Sequence, residues 1–127
     1  MKKVLFVEDN DSLRNLYAYA LNREGFEVTT AQSGLDALGM LRGESKYDVM
    51  VLDMLMLEMS GLDLLRVYDV RKKRPEMRVV GFTNFTDNEA IEKRAGELGV
   101  EVYLDKAQYE PKALAEYLKA FLDKRSS

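Results

Sequence analysis

Three acids, one hydroxyl and one amine each follow a short apolar run in this chain. They are Glu8 and Asp9 in VLFVEDN, Asp53 in DVMVLDMLMLEMSG, Thr83 in VVGFTNF and Lys106 in VEVYLDK. Asp53 is the least ordinary of them, because a lone carboxylate in an apolar segment must find a cation or shift its pKa until it is neutral. Gathered in one place, three carboxylates and one ammonium lack positive charge, and an oxygen-only set suits Mg²⁺, or Mn²⁺ in its stead. The chemistry open to such a set is phosphoryl transfer to a carboxylate. Asp53 is the candidate nucleophile and would carry an aspartyl phosphate. Glu8, Asp9 and Asp53 would hold the metal, while Lys106 and the Thr83 hydroxyl would take the remaining phosphoryl oxygens.

Those residues can meet only if the chain brings the ends of its apolar runs together. Five β-rich runs are present, VLFV (4–7), FEVTT (26–30), VMVL (49–52), RVVGF (78–82) and VEVYL (100–104), and they alternate with five helical patterns. Leu13, Leu16, Tyr17, Ala20 and Leu21 space the first helix, and Gly25 stops it. Ser33 is the expected cap of the second, which ends at Gly43, and Ser60 of the third, which carries Tyr68 and stops before Pro75. Thr86 and Glu89 form a capping box for the fourth, and Pro111 opens the fifth. The (βα)₅ order predicts an α/β fold with a doubly wound parallel five-stranded sheet covered on both faces. Such sheets bind ligands at the carboxyl ends of their strands, where all the candidate residues lie.

The bulk composition narrows the field. A chain of 127 residues suits one domain, read here as 1–124 with 125–127 as a frayed tail. The net charge of −3 gives no electrostatic footprint for nucleic acid or an anionic membrane. With no cysteine and no histidine, thiolate zinc sites, disulfides and histidine-based triads are excluded. No apolar stretch is long enough to cross a bilayer, and the apolar run after the first lysines is too short for a signal peptide, so the cytoplasm is the expected location. The RKKR run at 71–74 is expected to be the cationic last turn of a helix rather than a nucleic-acid patch. Met54, Met56 and Met59 are expected to fill the core and the loop after the third strand.

Over roughly residues 2–124 the chain resembles the receiver domain of two-component response regulators. The resemblance rests on Glu8-Asp9, Asp53, Thr83 and Lys106, and on the run after the acceptor, where Asp53, Met56, Met59, Ser60 and Gly61 fit the pattern Asp-x-x-Met-Pro-x-Met-(Asp/Ser)-Gly. The aromatic before the lysine, Tyr103, matches a position that switches rotamer in this family. The resemblance implies a flavodoxin-like strand order 2-1-3-4-5 and a molecular switch rather than an enzyme acting on other substrates. A histidine kinase or histidine phosphotransfer protein would supply the phosphoryl group with Mg²⁺ present. Thr83 and then Tyr103 would follow the new charge, and the face made by the fourth helix, fifth strand and fifth helix would change its affinity for a downstream protein or effector domain, homodimerisation included. No contact with nucleic acid or membrane is expected. A stand-alone regulator, like those of chemotaxis, and a receiver cut from a longer chain both fit.

Several positions depart from the pattern. Leu57 and Ala107 stand where the family has prolines, so the loop after Lys106 is expected to be trans and looser. Leu55 would offer the metal only its backbone carbonyl. Leu55, Asn84 and Phe85 are expected to crowd the path of attacking water and slow the loss of phosphate. A haloacid-dehalogenase-like phosphatase is a poor alternative, because it wants an acid where Leu55 stands. A flavodoxin-like cofactor binder would need a phosphate loop in place of the acidic EDND. The serious alternative is a receiver fold used as a phosphorylation-independent interaction module.

Overall fold

The computed structural model describes residues 1–84 and 88–123. Its strands are β1 (Lys3–Val7), β2 (Glu27–Ala31), β3 (Val49–Leu52), β4 (Arg78–Thr83) and β5 (Val102–Asp105). They form one parallel sheet in the order β2-β1-β3-β4-β5. The helices are α1 (Asp11–Arg23), α2 (Gly34–Leu41), α3 (Gly61–Val67), α4 (Val70–Lys73), α5 (Glu89–Glu97) and α6 (Pro111–Asp123).

Side chains alternate across a strand, so the apolar runs feed two cores at once. Val4 and Phe6 of β1, Val49 and Val51 of β3 and Val80 and Phe82 of β4 face the layer of α1 and α6, where Leu21, Leu114 and Leu118 are fully buried. Leu5, Val7, Met50 and Leu52 face the other layer, with Leu38, Leu41, Leu64 and Leu65. Burying each such side chain contributes about 1.5–3 kcal/mol, and sequestering both faces is what requires an apolar run of this kind. Met54 is buried in the second of these cores and Met56 and Met59 pack against it, as expected.

Ser33 accepts from the Asp36 N–H, and Ser60 forms a reciprocal capping box with Asp63. Two local expectations need correction. The third helical pattern is two helices rather than one, because Tyr68 takes an extended backbone (φ −127°, ψ 111°) and Asp69 caps a new start by accepting from Lys72 N–H. The Tyr68 hydroxyl donates to the Leu41 carbonyl at 3.1 Å, so a tertiary bond fixes the break. Asn88 caps α5 by accepting from Ile91 N–H, and the expected capping residue Thr86 lies outside the described residues, as do Phe85 and the 125–127 tail.

RKKR does end a helix, but its arginines serve other helices. Arg71 donates to the Glu97 and Gly96 carbonyls at the end of α5 (3.0 and 2.8 Å). Arg74 donates to the Leu41 carbonyl from both Nε and Nη2 (3.2 and 2.9 Å) and to that of Gly43 at 3.1 Å, at the end of α2. Two helix ends thereby receive donors for carbonyls that no further turn of helix can satisfy.

Candidate functional site

The hydrogen-bond ladder carries past the strand ends and fixes the acids. Glu8 N–H donates to the Ala31 carbonyl at 3.0 Å, and Asp53 N–H donates to the Val7 carbonyl at 3.2 Å. Thr83 pairs with Asp105 in the last register of β4 and β5, which sets Lys106 one residue beyond the same edge. The Lys106 ammonium then reaches back across the sheet to Asp53 Oδ2 at 3.0 Å and to Glu8 Oε1. Glu8, Asp53 and Thr83 are only 2%, 4% and 1% exposed, so this is a buried polar cluster roofing an apolar sheet.

Burial pushes the Glu8 and Asp53 carboxyls above the usual carboxylate range. Lys106 and the N–H groups of Asn10 and Leu55 pull in the opposite direction without overcoming it. Burial would lower Lys106, but Glu8 and Asp53 outweigh it and hold the ammonium above the usual amine range. One carboxylate oxygen from each of Glu8, Asp9 and Asp53 lies within 4.8 Å of the others, and one ammonium faces them. An all-oxygen set short of positive charge, with Asp9 partly open to solvent, fits a hard divalent cation such as Mg²⁺ that keeps part of its water.

Backbone donors hold the acids in place. Asn10 N–H donates to Glu8 Oε2 at 3.1 Å, and Leu55 N–H donates to Asp53 Oδ1 at 3.0 Å. Arg14, which the motif reading passed over, donates to the Glu8 carbonyl at 3.0 Å and pairs with Asp11 Oδ1 at 2.6 Å. Its signal was the Asp11–Arg14 spacing, which puts both on one helix face. Leu57 N–H lies 3.4 Å from Asp9 Oδ2, a donor that a proline at this position would lack. Leu55 and Leu57 are 47% and 98% exposed. Asn84 is exposed, and Phe85 lies outside the described residues.

Thr83 Oγ1 is buried and has no hydrogen-bond partner among the described residues. Leaving such a hydroxyl unsatisfied costs about 1–3 kcal/mol, so it invites a ligand. Tyr103 is half-buried, and it pairs across the ladder with Gly81. A Cβ added at Gly81 would lie 3.3 Å from the Tyr103 ring, so the glycine makes room for the aromatic. A lone glycine inside an otherwise apolar strand was the available sign of such a close approach.

The loop after Lys106 is trans, there being no cis peptide among the described residues, but it is not the loose segment expected. Lys106–Gln108 close into a 3₁₀ turn capped by Asp105, whose Oδ1 accepts from Ala107 N–H at 2.9 Å. Alanine supplies the N–H that a proline would not.

Comparison with known proteins agrees with this geometry. The family model for the response regulator receiver domain matches residues 4–119. Sensory transduction protein RegX3 of Mycolicibacterium smegmatis is 35% identical over 123 residues, covering 96% of this chain and 51% of that protein. The polar-differentiation response regulator DivK of Brucella ovis is 29% identical over 121 residues, covering 95% of this chain and 96% of DivK. Chemotaxis protein CheY4 of Vibrio cholerae matches in structure with a TM-score of 0.83 at 27% identity, over 94% of this chain and 98% of CheY4. The chain spans about half the length of curated relatives such as RegX3 and the Bacillus subtilis regulator PhoP.

Proposed function

The chain belongs to the response regulator receiver domain family, whose members are signalling phosphoacceptors, and from that premise we propose that Asp53 is the acceptor. A histidine kinase or histidine phosphotransfer protein presents a phosphohistidine. An Asp53 carboxylate oxygen attacks the phosphorus, a P–O bond forms as the P–N bond breaks, and the donor imidazole leaves with the electron pair. Lys106, already 3.0 Å from Asp53 Oδ2, and the Thr83 hydroxyl donate to phosphoryl oxygens. Receiver domains bind Mg²⁺ at an acidic pocket. Here Glu8, Asp9 and Asp53 would hold it, or Mn²⁺, with the Leu55 carbonyl, and the ion would supply charge neutralisation.

The observation that carries this reading is the pairing of a buried, lysine-bound Asp53 with a buried Thr83 on the next strand whose hydroxyl has no hydrogen-bond partner among the described residues. Once a phosphoryl group gives Thr83 a partner, the hydroxyl moves toward it and Tyr103 is free to follow. The two-state equilibrium of the α5–β5–α6 face then shifts toward the form that binds a downstream protein, an effector domain or a second copy of the chain. Leu55, Asn84 and Phe85 modulate the access of water to the acyl phosphate. We place this cycle in the cytoplasm, where phosphohistidine donors and Mg²⁺ meet. No helix among the described residues is long and apolar enough to cross a membrane.

Beryllofluoride, which mimics a bound phosphoryl group, tests the switch in the presence of Mg²⁺. Amide NMR signals of Thr83 and Tyr103 should move together in the wild type and stay still in Asp53→Asn. Stationary signals in both would favour a phosphorylation-independent interaction module instead.

A further inference from the structure

Lys106 must bridge two acids just past the ends of two other strands, yet it stands on a loop, and a long flexible amine placed there needs its backbone held. The 3₁₀ turn that follows it is closed by the Tyr109 N–H donating to the Lys106 carbonyl at 3.2 Å. The Tyr109 carbonyl in turn accepts from the hydroxyl of Tyr17 at 2.6 Å, across 92 positions of sequence. Tyr17 is 6% exposed and comes from the middle of α1, the helix that starts just after Glu8-Asp9.

Its ring is itself fixed. It stacks on Phe6 (centroids 5.7 Å apart, 14° between planes) and meets Phe82 edge-on at 5.3 Å. Phe82 lies 5.9 Å from the Lys106 ammonium. One aromatic layer thus runs beneath the lysine while its hydroxyl end ties down the loop that carries it. Burial holds the Tyr17 phenol above its ordinary value, against the opposing pull of Lys106, so the hydroxyl stays a donor throughout the neutral range.

We propose that Tyr17 is a positioning residue for the phosphoryl-transfer site: its hydroxyl anchors the Tyr109 carbonyl and so holds Lys106 in reach of Asp53. The inference rests on the acceptor role given above to Asp53. It assigns to this chain a polar tether between α1 and the loop after β5, at a place where Ala107 leaves the loop without a proline's stiffness.

Tyr17→Phe keeps the ring, and with it the Phe6 and Phe82 packing, and removes only the donor. At saturating Mg²⁺ the rate of Asp53 phosphorylation by acetyl phosphate should fall about tenfold, the scale of a small misplacement of a positioned group. Mg²⁺ affinity should stay within about twofold, because the acids lie just past the ends of β1 and β3 and not on this loop. In a Lys106→Met background, or Lys106→Gln if the former does not fold, the same substitution should change the rate by less than about twofold, since the ammonium it positions is gone. The Lys106 ammonium signal in ¹⁵N NMR, visible when a buried ion pair slows its exchange, should broaden or vanish in Tyr17→Phe alone. An equal loss in both lysine backgrounds, or an unchanged rate and ammonium signal, overturns the proposal. If wild-type protein takes no phosphoryl group at all, the acceptor assignment has failed instead, and the ammonium signal still decides whether Tyr17 holds the lysine.

Discussion

Replacing Lys106 by alanine should cost the fold about 3 kcal/mol at neutral pH, because it strands Glu8 and Asp53 in a buried site without their ammonium. For a domain of this size that corresponds to a fall of roughly 10 °C in Tm. The pH dependence follows from the direction of the shifts. Burial already holds both carboxyls above their ordinary values, and losing the lysine raises them further. A carboxyl whose folded value lies above its unfolded value favours the fold at pH below the unfolded value. That contribution is lost as pH rises through the folded value, so the charged form is a net cost at neutral pH. The deficit of Lys106→Ala should therefore be larger at pH 7 and fade toward about pH 3, where both carboxyls are neutral in either state. Added Mg²⁺ should recover part of it, since the cation supplies the missing charge. Phosphorylation by acetyl phosphate should slow about 100-fold, the scale of removing one prearranged donor. Thermal melts at the two pH values, with and without Mg²⁺, check the first part; equal deficits at both would mean that the lysine acts by packing rather than by charge.

Gly61→Ala should destabilise the domain by about 3 kcal/mol, although helix propensity alone favours alanine there by about 1 kcal/mol. Gly61 opens α3, and a Cβ built on it would stand 2.5 Å from the Asp53 carbonyl oxygen, 3.0 Å from the Leu52 side chain and 3.0 Å from the Met54 backbone. Two of those three neighbours are backbone, which cannot swing aside as a side-chain tip can. Relief must come from a shift of the segment that carries the acceptor, so phosphorylation should slow together with the loss in Tm. This gives the glycine at the end of the DVMVLDMLMLEMSG stretch a steric reason. A Gly61→Ala variant as stable as wild type would show that the close approach is not limiting.

The acids and the lysine were legible because each ends an apolar run, and a doubly wound sheet gathers strand ends at one edge. Their pairings follow from the ladder, as Asp53 N–H on the Val7 carbonyl shows. What the local pattern could not carry was set by contacts distant in sequence. Tyr68 fits a helix by spacing, yet its hydroxyl on the Leu41 carbonyl and the Asp69 cap break the helix there. Arg71 and Arg74 read as the end of their own helix but bond the ends of α5 and α2. The loop after Lys106 reads as slack because Ala107 is not proline, while the adjacent Asp105 caps its turn and Tyr17, from α1, supplies the distant restraint. Tyr17 itself reads as one more apolar position of an amphipathic helix, since only its hydroxyl, not its spacing, distinguishes it.

The most direct test is to incubate the protein with acetyl phosphate and Mg²⁺, read its intact mass, and locate the adduct by borohydride reduction and peptide mapping. The expected result is a gain of one phosphoryl group that requires Mg²⁺, sits on Asp53 and is absent from Asp53→Asn. A gain that persists in Asp53→Asn, or none in the wild type, would contradict the assignment of Asp53 as the acceptor.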